Sequence, residues 1–443
     1  MPYKIAFVSL GCAKNLVNTE QMMALCRKAG HTVTGEPEGA DVAVLNTCGF
    51  IESAKSEAIE NILELARLKQ DGKLKKLLVA GCLTQRYPDD IRKELPEVDG
   101  MLGTGSYTDV VTAVEELMAG ERPEHFERID RAYDDGERMV TTPPYTAYLK
   151  IAEGCSNGCA FCIIPKLRGR YRSRTMDHLL EEAKSLADSG VKELIVIAQD
   201  ITRYGLDLYG KCRLAELLRR LEQVEGVRWI RLHYLYPDEM PDELLEVIAG
   251  SRKILHYFDI PIQHINDRVL RDMNRRGGGA LIRDRIDRLR RLMPDAVIRT
   301  SLIVGFPGET EEEFQELYDF LAQYRLERVG VFCYSQEEGS KAAGMPGQIP
   351  EEVKERRRAE LYALQEQVME EVSQRQLGRV LEVLCCGRDE EGRCFGRSYM
   401  DSPDIDGLVY FESDDAREGD FVRVRVTYAE GCDLYGTATE QED

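Results

Sequence analysis

Cys155, Cys159 and Cys162 stand in the run "EGCSNGCAFC", three thiols within eight residues. A disulfide pairs two cysteines, and a structural zinc site usually takes four Cys or His ligands. A 4Fe–4S cube is normally held by four thiolates. Three thiolates leave one iron without a protein ligand, free to bind a substrate or cofactor directly. The CxxxCxxC spacing lets one loop reach one cluster, and Gly154 and Gly158 give that loop room to bend. Small buried residues, or three of four zinc ligands, are the plainer readings. The spacing, the glycines and the place of the loop after a strand pattern together favour an open-iron cluster.

A second trio is spread along the chain. "KIAFVSLGC", "ADVAVLNTCGF" and "KKLLVAGC" are strand patterns ending at Cys12, Cys48 and Cys82. Ligands of open parallel sheets bind outside the carboxyl ends of the strands. The three cysteines would then converge at one sheet edge. Taken alone, each is equally well a packing residue. Cys26, Cys212, Cys333, Cys385, Cys386, Cys394 and Cys432 build no further site by spacing. The Cys385–Cys386 pair, in a strand pattern, points to opposite faces.

The elements that must position these thiols follow from periodicity. A chain of 443 residues implies two to four domains. Residues 1–120 alternate apolar strands with helical patterns, as an α/β domain with a parallel sheet does; one helix carries Ile51, Ala54, Ala58, Ile62 and Leu65 on a face. Residues 121–140 read as a polar, charged linker, followed closely by a double proline. From 141 to 373 about six β/α units suggest a partial TIM-like (β/α) barrel, with chemistry at the carboxyl ends of its strands. In that region Ile282, Ile286, Leu289 and Met293 share a helix face, and Thr310 with Glu313 forms a capping-box pattern. Gly277 to Gly279 read as a helix stop or mobile loop. A long charged helix spans about 350–377, and 374–443 shows the short alternating runs of a small antiparallel β-barrel.

Composition narrows the function classes. The net charge of −20 argues against non-specific nucleic-acid binding, which rests on Lys and Arg neutralising phosphates. No apolar run approaches the ~18–20 residues of a membrane span, and the N-terminal run reads as a strand rather than a signal peptide. A cytoplasmic, reducing location is therefore expected, where thirteen cysteines favour metal or redox roles over disulfides. The six histidines show no paired ligand spacing.

CxxxCxxC with Phe161 before the last cysteine resembles the signature of radical S-adenosylmethionine enzymes. "SLGCAKNLVNTEQM", "NTCGFIESAKSEAIE", "YLKIAEGCSNGCAFCIIPKLRGRYRSR", "DIPIQHINDRVLRDMNRR" and "SLIVGFPGETEEEF" resemble the methylthiotransferases of that superfamily, in particular the RimO branch, across essentially the whole chain. The resemblance implies three domains: a methylthiotransferase domain, a radical core and a terminal barrel called TRAM, which is OB-like. It implies that Cys155, Cys159 and Cys162 hold a 4Fe–4S cluster whose open iron is chelated by S-adenosylmethionine, cleaved on reduction to a deoxyadenosyl radical. It implies an auxiliary 4Fe–4S cluster on Cys12, Cys48 and Cys82. It places Gln199, Asp200 and Gly305 near the adenosylmethionine. The implied product is a methylthio group on the β-carbon of an aspartate in small-subunit ribosomal protein S twelve. The implied electron source is a low-potential donor such as flavodoxin or ferredoxin.

A related branch modifies an adenosine in transfer RNA, and charge bears on that choice. Residues 376–443 carry seven Arg, no Lys and seventeen Asp plus Glu, a net 7 − 17 = −10. Such a barrel repels phosphates and suits a basic protein, so nucleic acid is not the expected substrate. The run "KLRGRYRSR" bears Lys166, Arg168, Arg170, Arg172 and Arg174. It is suited to a phosphate, to a substrate carboxylate, or to solvent. A non-catalytic cluster-binding redox protein is the alternative outside enzymes.

Overall fold

A computed structural model describes residues 2–131 and 136–439. The apolar runs of the first domain form a parallel sheet. Its strands are β1 (Lys4–Ser9), β2 (Thr32–Thr34), β3 (Ala40–Thr47), β4 (Leu74–Gly81), β5 (Gly100–Leu102) and β6 (Glu124–His125), in the order β2-β1-β3-β4-β5-β6. Every residue of β3 except Asp41 is buried, the mark of a strand covered on both faces. Ala43 and Leu45 pack with Ala58 and Ile62 of α2 (Glu52–Gln70). Val42 and Val44 pack on the other face with Met22 and Cys26 of α1 (Ala13–Lys28).

Three differences from the sequence reading appear here. The short strands β2, β5 and β6 extend the sheet beyond the three strands legible in the pattern. Glu124–His125, inside the expected linker, pairs with Met101 and Leu102 and so belongs to the sheet. Residues 132–135 of that linker lie outside the described residues, as do Glu440, Glu442 and Asp443 of the acidic tail. Ile51 is the residue before α2 rather than part of its buried face.

The central domain holds β7 (Thr146–Lys150), a two-stranded ribbon of β8 (Ala152–Glu153) and β9 (Arg172–Ser173), then β10 (Glu193–Ile197), β11 (Trp229–Leu232), β12 (Ile254–Asp259), β13 (Val297–Val304) and β14 (Arg328–Cys333). Apart from the ribbon these strands form one open parallel sheet in sequential order, β7-β10-β11-β12-β13-β14: the partial barrel expected. Leu194 and Val196 face the outer helical core, whereas Ile195 and Ile197 face inward and meet Val17 of α1. The N-terminal domain thus puts its first helix against the inner face of the half-barrel. The helix Glu311–Tyr324 starts with the Thr310–Glu313 capping box. Gly277–Gly279 start the helix Gly278–Leu292 rather than stop one: Gly277 (φ +94°) is its N-cap, and a Cβ on Gly279 would lie 2.3 Å from the Ile265 carbonyl oxygen.

The helix Glu351–Gln374 leads to a closed five-stranded barrel of β15 (Val380–Arg388), β16 (Cys394–Arg397), β17 (Val409–Glu412), β18 (Phe421–Glu430) and β19 (Asp433–Ala438). It is antiparallel, as expected, except that β17 and β19 pair in parallel to close it. Cys385 lies in its core and Cys386 in the separate apolar cluster against the central domain, on opposite faces. The barrel is tied to the core by a buried triad. Glu193 accepts from Arg231 at 2.9 Å and from Arg397 at 2.5 Å.

Candidate functional site

The cysteine loop follows β8 and is pinned on both sides. The Cys155 N–H donates to the Gly169 carbonyl at 3.1 Å, and the Ala160 N–H to the Met273 carbonyl at 2.9 Å. Gly154 has φ +75°, and a Cβ there would sit 2.2 Å from the Arg170 carbonyl oxygen, so the turn admits only glycine. Gly158 has φ +68°, and its carbonyl accepts from Asn274 Nδ2 at 2.8 Å. Ala160 and Phe161 pack with Phe306 and Tyr334. Cys155 and Cys159 are buried and Cys162 is half-buried. The three interact electrostatically, and burial pushes Cys155 up to about 11 and Cys162 up to about 12. Two donors reach the sulfurs: the Ile164 N–H to Cys162 at 3.4 Å, and Arg275 Nη1 to Cys159 at 3.7 Å. All thirteen cysteines are free thiols.

Cys12, Cys48 and Cys82 sit just beyond the carboxyl ends of β1, β3 and β4, which are adjacent in the sheet. Cys12 is the N-cap of α1 and Cys82 opens the short helix Cys82–Arg86. A Cβ on Gly11 would lie 2.7 Å from Cys48 Cβ, so glycine is what lets these two loops approach. Burial, with Cys82 and Cys12 adding to it, pushes Cys48 up to about 11. At Cys12 burial also pushes upward, but the Lys14 and Arg168 cations outweigh it and the thiol falls below its ordinary value.

The segment after the cysteine loop reaches the second trio: Cys82 packs with Ile163, which follows Cys162, and with Leu167. Arg168, next in the chain, is buried. Its Nη1 donates to Glu153 at 3.0 Å and to Asn18 at 3.3 Å; Nη2 donates to Asn15. Glu153 also accepts from Lys150 at 2.9 Å and from the Gly154 N–H at 3.1 Å. Burial alone would raise the Glu153 carboxyl, but Lys150 and Arg168 hold it well below its usual range. One ion network therefore joins the second domain's cysteine loop to α1 of the first. A three-thiolate cluster carries net negative charge, and Arg168 is a cation that interacts with Cys12, Cys48 and Cys82 alike. Both trios thus offer what such a cluster needs: convergent free thiols, glycine turns without side chains, and nearby N–H or cationic donors.

Gln199 and Asp200 follow β10 and reach the same loop. Gln199 Nε2 donates to Glu153 at 3.3 Å, and its buried Oε1 has no hydrogen-bond partner among the described residues. Asp200 accepts from Asn157 Nδ2 at 2.7 Å and from the Thr202 N–H at 3.0 Å. Burial raises its carboxyl. Gly305 (φ +74°) ends β13, and its N–H donates to Glu309. A Cβ there would strike Lys354 Cγ at 2.3 Å, so Gly305 makes a tight turn against the long helix.

The basic run divides. Arg168 and Arg174 are buried in ion pairs with Glu153 and Glu182, so neither is a surface contact for a phosphate or a free carboxylate. Lys166 and Arg170 are exposed. Sequence reasoning missed Glu153, Lys150, Asn15, Asn18 and Arg275. The available signal was a Lys and a Glu three apart in an otherwise apolar strand, where charge is costly unless paired.

Residues 149–321 match the Radical SAM superfamily, residues 4–103 the uncharacterized protein family UPF0004, and residues 377–439 the TRAM domain. The chain is 49% identical to a protein of Symbiobacterium thermophilum named ribosomal protein uS12 methylthiotransferase RimO, over 99% of this chain and 92% of that one. It is 50% identical to a protein of the same name from Caldanaerobacter subterraneus, over 98% of this chain and 99% of the other. The fold is like that of a radical S-adenosylmethionine methyltransferase, TsrM, from Kitasatospora setae, with a TM-score of 0.57 at 13% identity over 74% of this chain and 72% of that one. No helix among the described residues is long and apolar enough to cross a membrane.

Proposed function

The chain belongs to the RimO family of ribosomal protein uS12 methylthiotransferases, and from that premise we propose that its six strand-end and loop cysteines hold two 4Fe–4S clusters serving one reaction. Cys155, Cys159 and Cys162 hold the cluster that binds S-adenosylmethionine. Cys12, Cys48 and Cys82 hold the auxiliary one. The substrate is uS12, and the product carries a methylthio group on the β-carbon of an aspartate. Electrons come from a low-potential donor such as flavodoxin or ferredoxin, in the cytoplasm.

That carbon is barely acidic, so no general base removes its hydrogen at a useful rate. When bound, the open-iron cluster and adenosylmethionine supply the radical chemistry this requires. The residues of the chain do the positioning. Glu153 fixes the Gly154 turn and accepts from both Lys150 and Arg168. Arg168 offsets negative charge at the second trio. Gln199 and Asp200 hold the loop from the next strand end, and Gly305 with Glu309 closes the turn at β13 beside Phe306.

The observation that carries the proposal is the packing of Cys82 against Ile163 and Leu167, just beyond Cys162, with Arg168 interacting with Cys12, Cys48 and Cys82 while it pairs with Glu153 at the start of the other cysteine loop. A sulfur-delivering cluster is useful only beside the carbon radical it must meet, and proximity is what such a junction supplies. The test is mass spectrometry after anaerobic reconstitution with iron and sulfide, then reductant and adenosylmethionine, with uS12 and transfer RNA in parallel. A methylthio group on an aspartate of uS12, lost in Cys155→Ala and in Cys12→Ala, is expected. A modified adenosine instead would overturn the assignment.

A further inference from the structure

Lys14 follows Cys12 by two residues, in the first turn of α1, and is 6% exposed. A buried ammonium ordinarily has a carboxylate beside it, because isolated charge is costly away from water. Lys150 and Lys354 obey that rule with Glu153 and Glu351, each at 2.9 Å. Each buried arginine also has a carboxylate within ion-pair distance. Among the described residues no carboxylate pairs with Lys14. Its Nζ lies 3.5 Å from the centroid of the Tyr234 ring, a cation–π contact that offsets part of the desolvation.

The surroundings show that this arrangement is held in place. Tyr234 follows β11 with φ +65°, a left-handed conformation that is unusual for an aromatic residue and clusters at functional sites. The Tyr234 N–H donates to Asp259 Oδ2 at 3.1 Å. Asp259 itself is paired with Arg299 at 2.8 Å, so that carboxylate is already committed. Gln263, beyond the end of β12, has φ +70°. The turn of α1 that bears Lys14 also lines an interdomain cavity of about 590 Å³ with Cys12, Ala13 and Leu16. Tyr148 of β7 and Asp404 of the barrel line the same cavity. A protein side chain entering there meets Cys12, Ala13 and Leu16, which flank Lys14 in the chain.

We infer that Lys14 is the counter-charge for the carboxylate of the target aspartate: a buried ammonium without a carboxylate of its own, two residues from Cys12, over a ring held by a strained backbone. The inference rests on the proposed reading of the substrate as an aspartate in uS12. An ion pair to that carboxylate orients the adjacent β-carbon. An asparagine in its place forfeits that ion pair, and sites built around a buried polar partner reject analogues that lack it.

The test compares kcat and KM for uS12 carrying the target aspartate with uS12 carrying asparagine there, using the fully reconstituted enzyme. The wild type is expected to prefer aspartate by about tenfold or more in kcat/KM. Lys14→Met should bring the two substrates to within about twofold, chiefly by raising KM for the aspartate form. Its iron content and the EPR signals of both clusters should match the wild type. Lys14→Arg should restore part of the preference. A Lys14→Met enzyme that keeps the preference overturns the inference. So does one that loses the iron or the signal of the Cys12 cluster, since Lys14 would then serve the cluster. A wild-type enzyme inactive on uS12 overturns the functional reading itself, and does so before any variant is made.

Discussion

Arg168 has a role that its place in a basic run conceals. Its guanidinium bridges Glu153, Asn15 and Asn18 and interacts with Cys82. Removing one partner of a buried ion pair leaves the other charge uncompensated, at a cost of about 3–5 kcal/mol. Lys150 still pairs with Glu153, so Arg168→Met should cost the apo chain about 3 kcal/mol, the lower end of that range, in urea unfolding. The same variant should retain less iron at Cys12, Cys48 and Cys82 when Cys155, Cys159 and Cys162 are replaced by alanine. Unchanged stability and full iron would show that the network is incidental. The cysteines were legible because their spacing, or their place at the end of a strand, is local. Arg168 was not, because its partners at 15, 18 and 82 are distant in sequence and its neighbours Lys166 and Arg170 do face solvent.

At the scale of elements, Glu193 locks the barrel to the half-barrel. Burial alone would raise its carboxyl, but Arg397 and Arg231 lower it to about 2 from 4.5. Its contribution to stability is complete above pH 4.5 and is lost as pH falls toward 2, on the order of 3 kcal/mol over that window. Stability of the apo chain measured by denaturant across pH 5 to about 2 should therefore fall, and Glu193→Gln should flatten that part of the profile. Limited proteolysis of the same variant should release the segment after 374 faster; cleavage at the wild-type rate would show that the apolar contact of Trp229 with Phe421 suffices. The long buried strands could be read from their apolar runs. β2, β5 and β6 could not, since strands of two or three residues exist through pairing and carry no periodic pattern. The parallel β17–β19 pairing is a matter of barrel closure, which alternation does not encode. Gly277–Gly279 misled because a left-handed glycine stops one helix as readily as it precedes another.

Across the whole molecule, charge and architecture point the same way. Glu412, Asp414, Asp415 and Glu418 are exposed on the barrel of a chain with net charge −20. A basic protein is attracted by such a surface, and the attraction between exposed charges is screened within about 8–10 Å at physiological salt. KM for uS12 should therefore rise with ionic strength. Asp414→Lys with Asp415→Lys should raise KM several-fold and leave kcat near its original value; a KM indifferent to both would remove the barrel from substrate docking. The three-domain plan was legible because each domain has its own periodicity. The way α1 enters the half-barrel was not, because it depends on packing between domains, Val17 against Ile195 and Ile197.

The proposed reaction removes hydrogen from the β-carbon of a uS12 aspartate with a radical generated at Cys155, Cys159 and Cys162. The most direct measurement is turnover of uS12 containing β-deuterated aspartate, followed by mass spectrometry of the deoxyadenosine and of the protein from one tube. Deuterium in the deoxyadenosine, together with one methylthio group on uS12, is the expected result. Methylthiolated uS12 beside deuterium-free deoxyadenosine would contradict it.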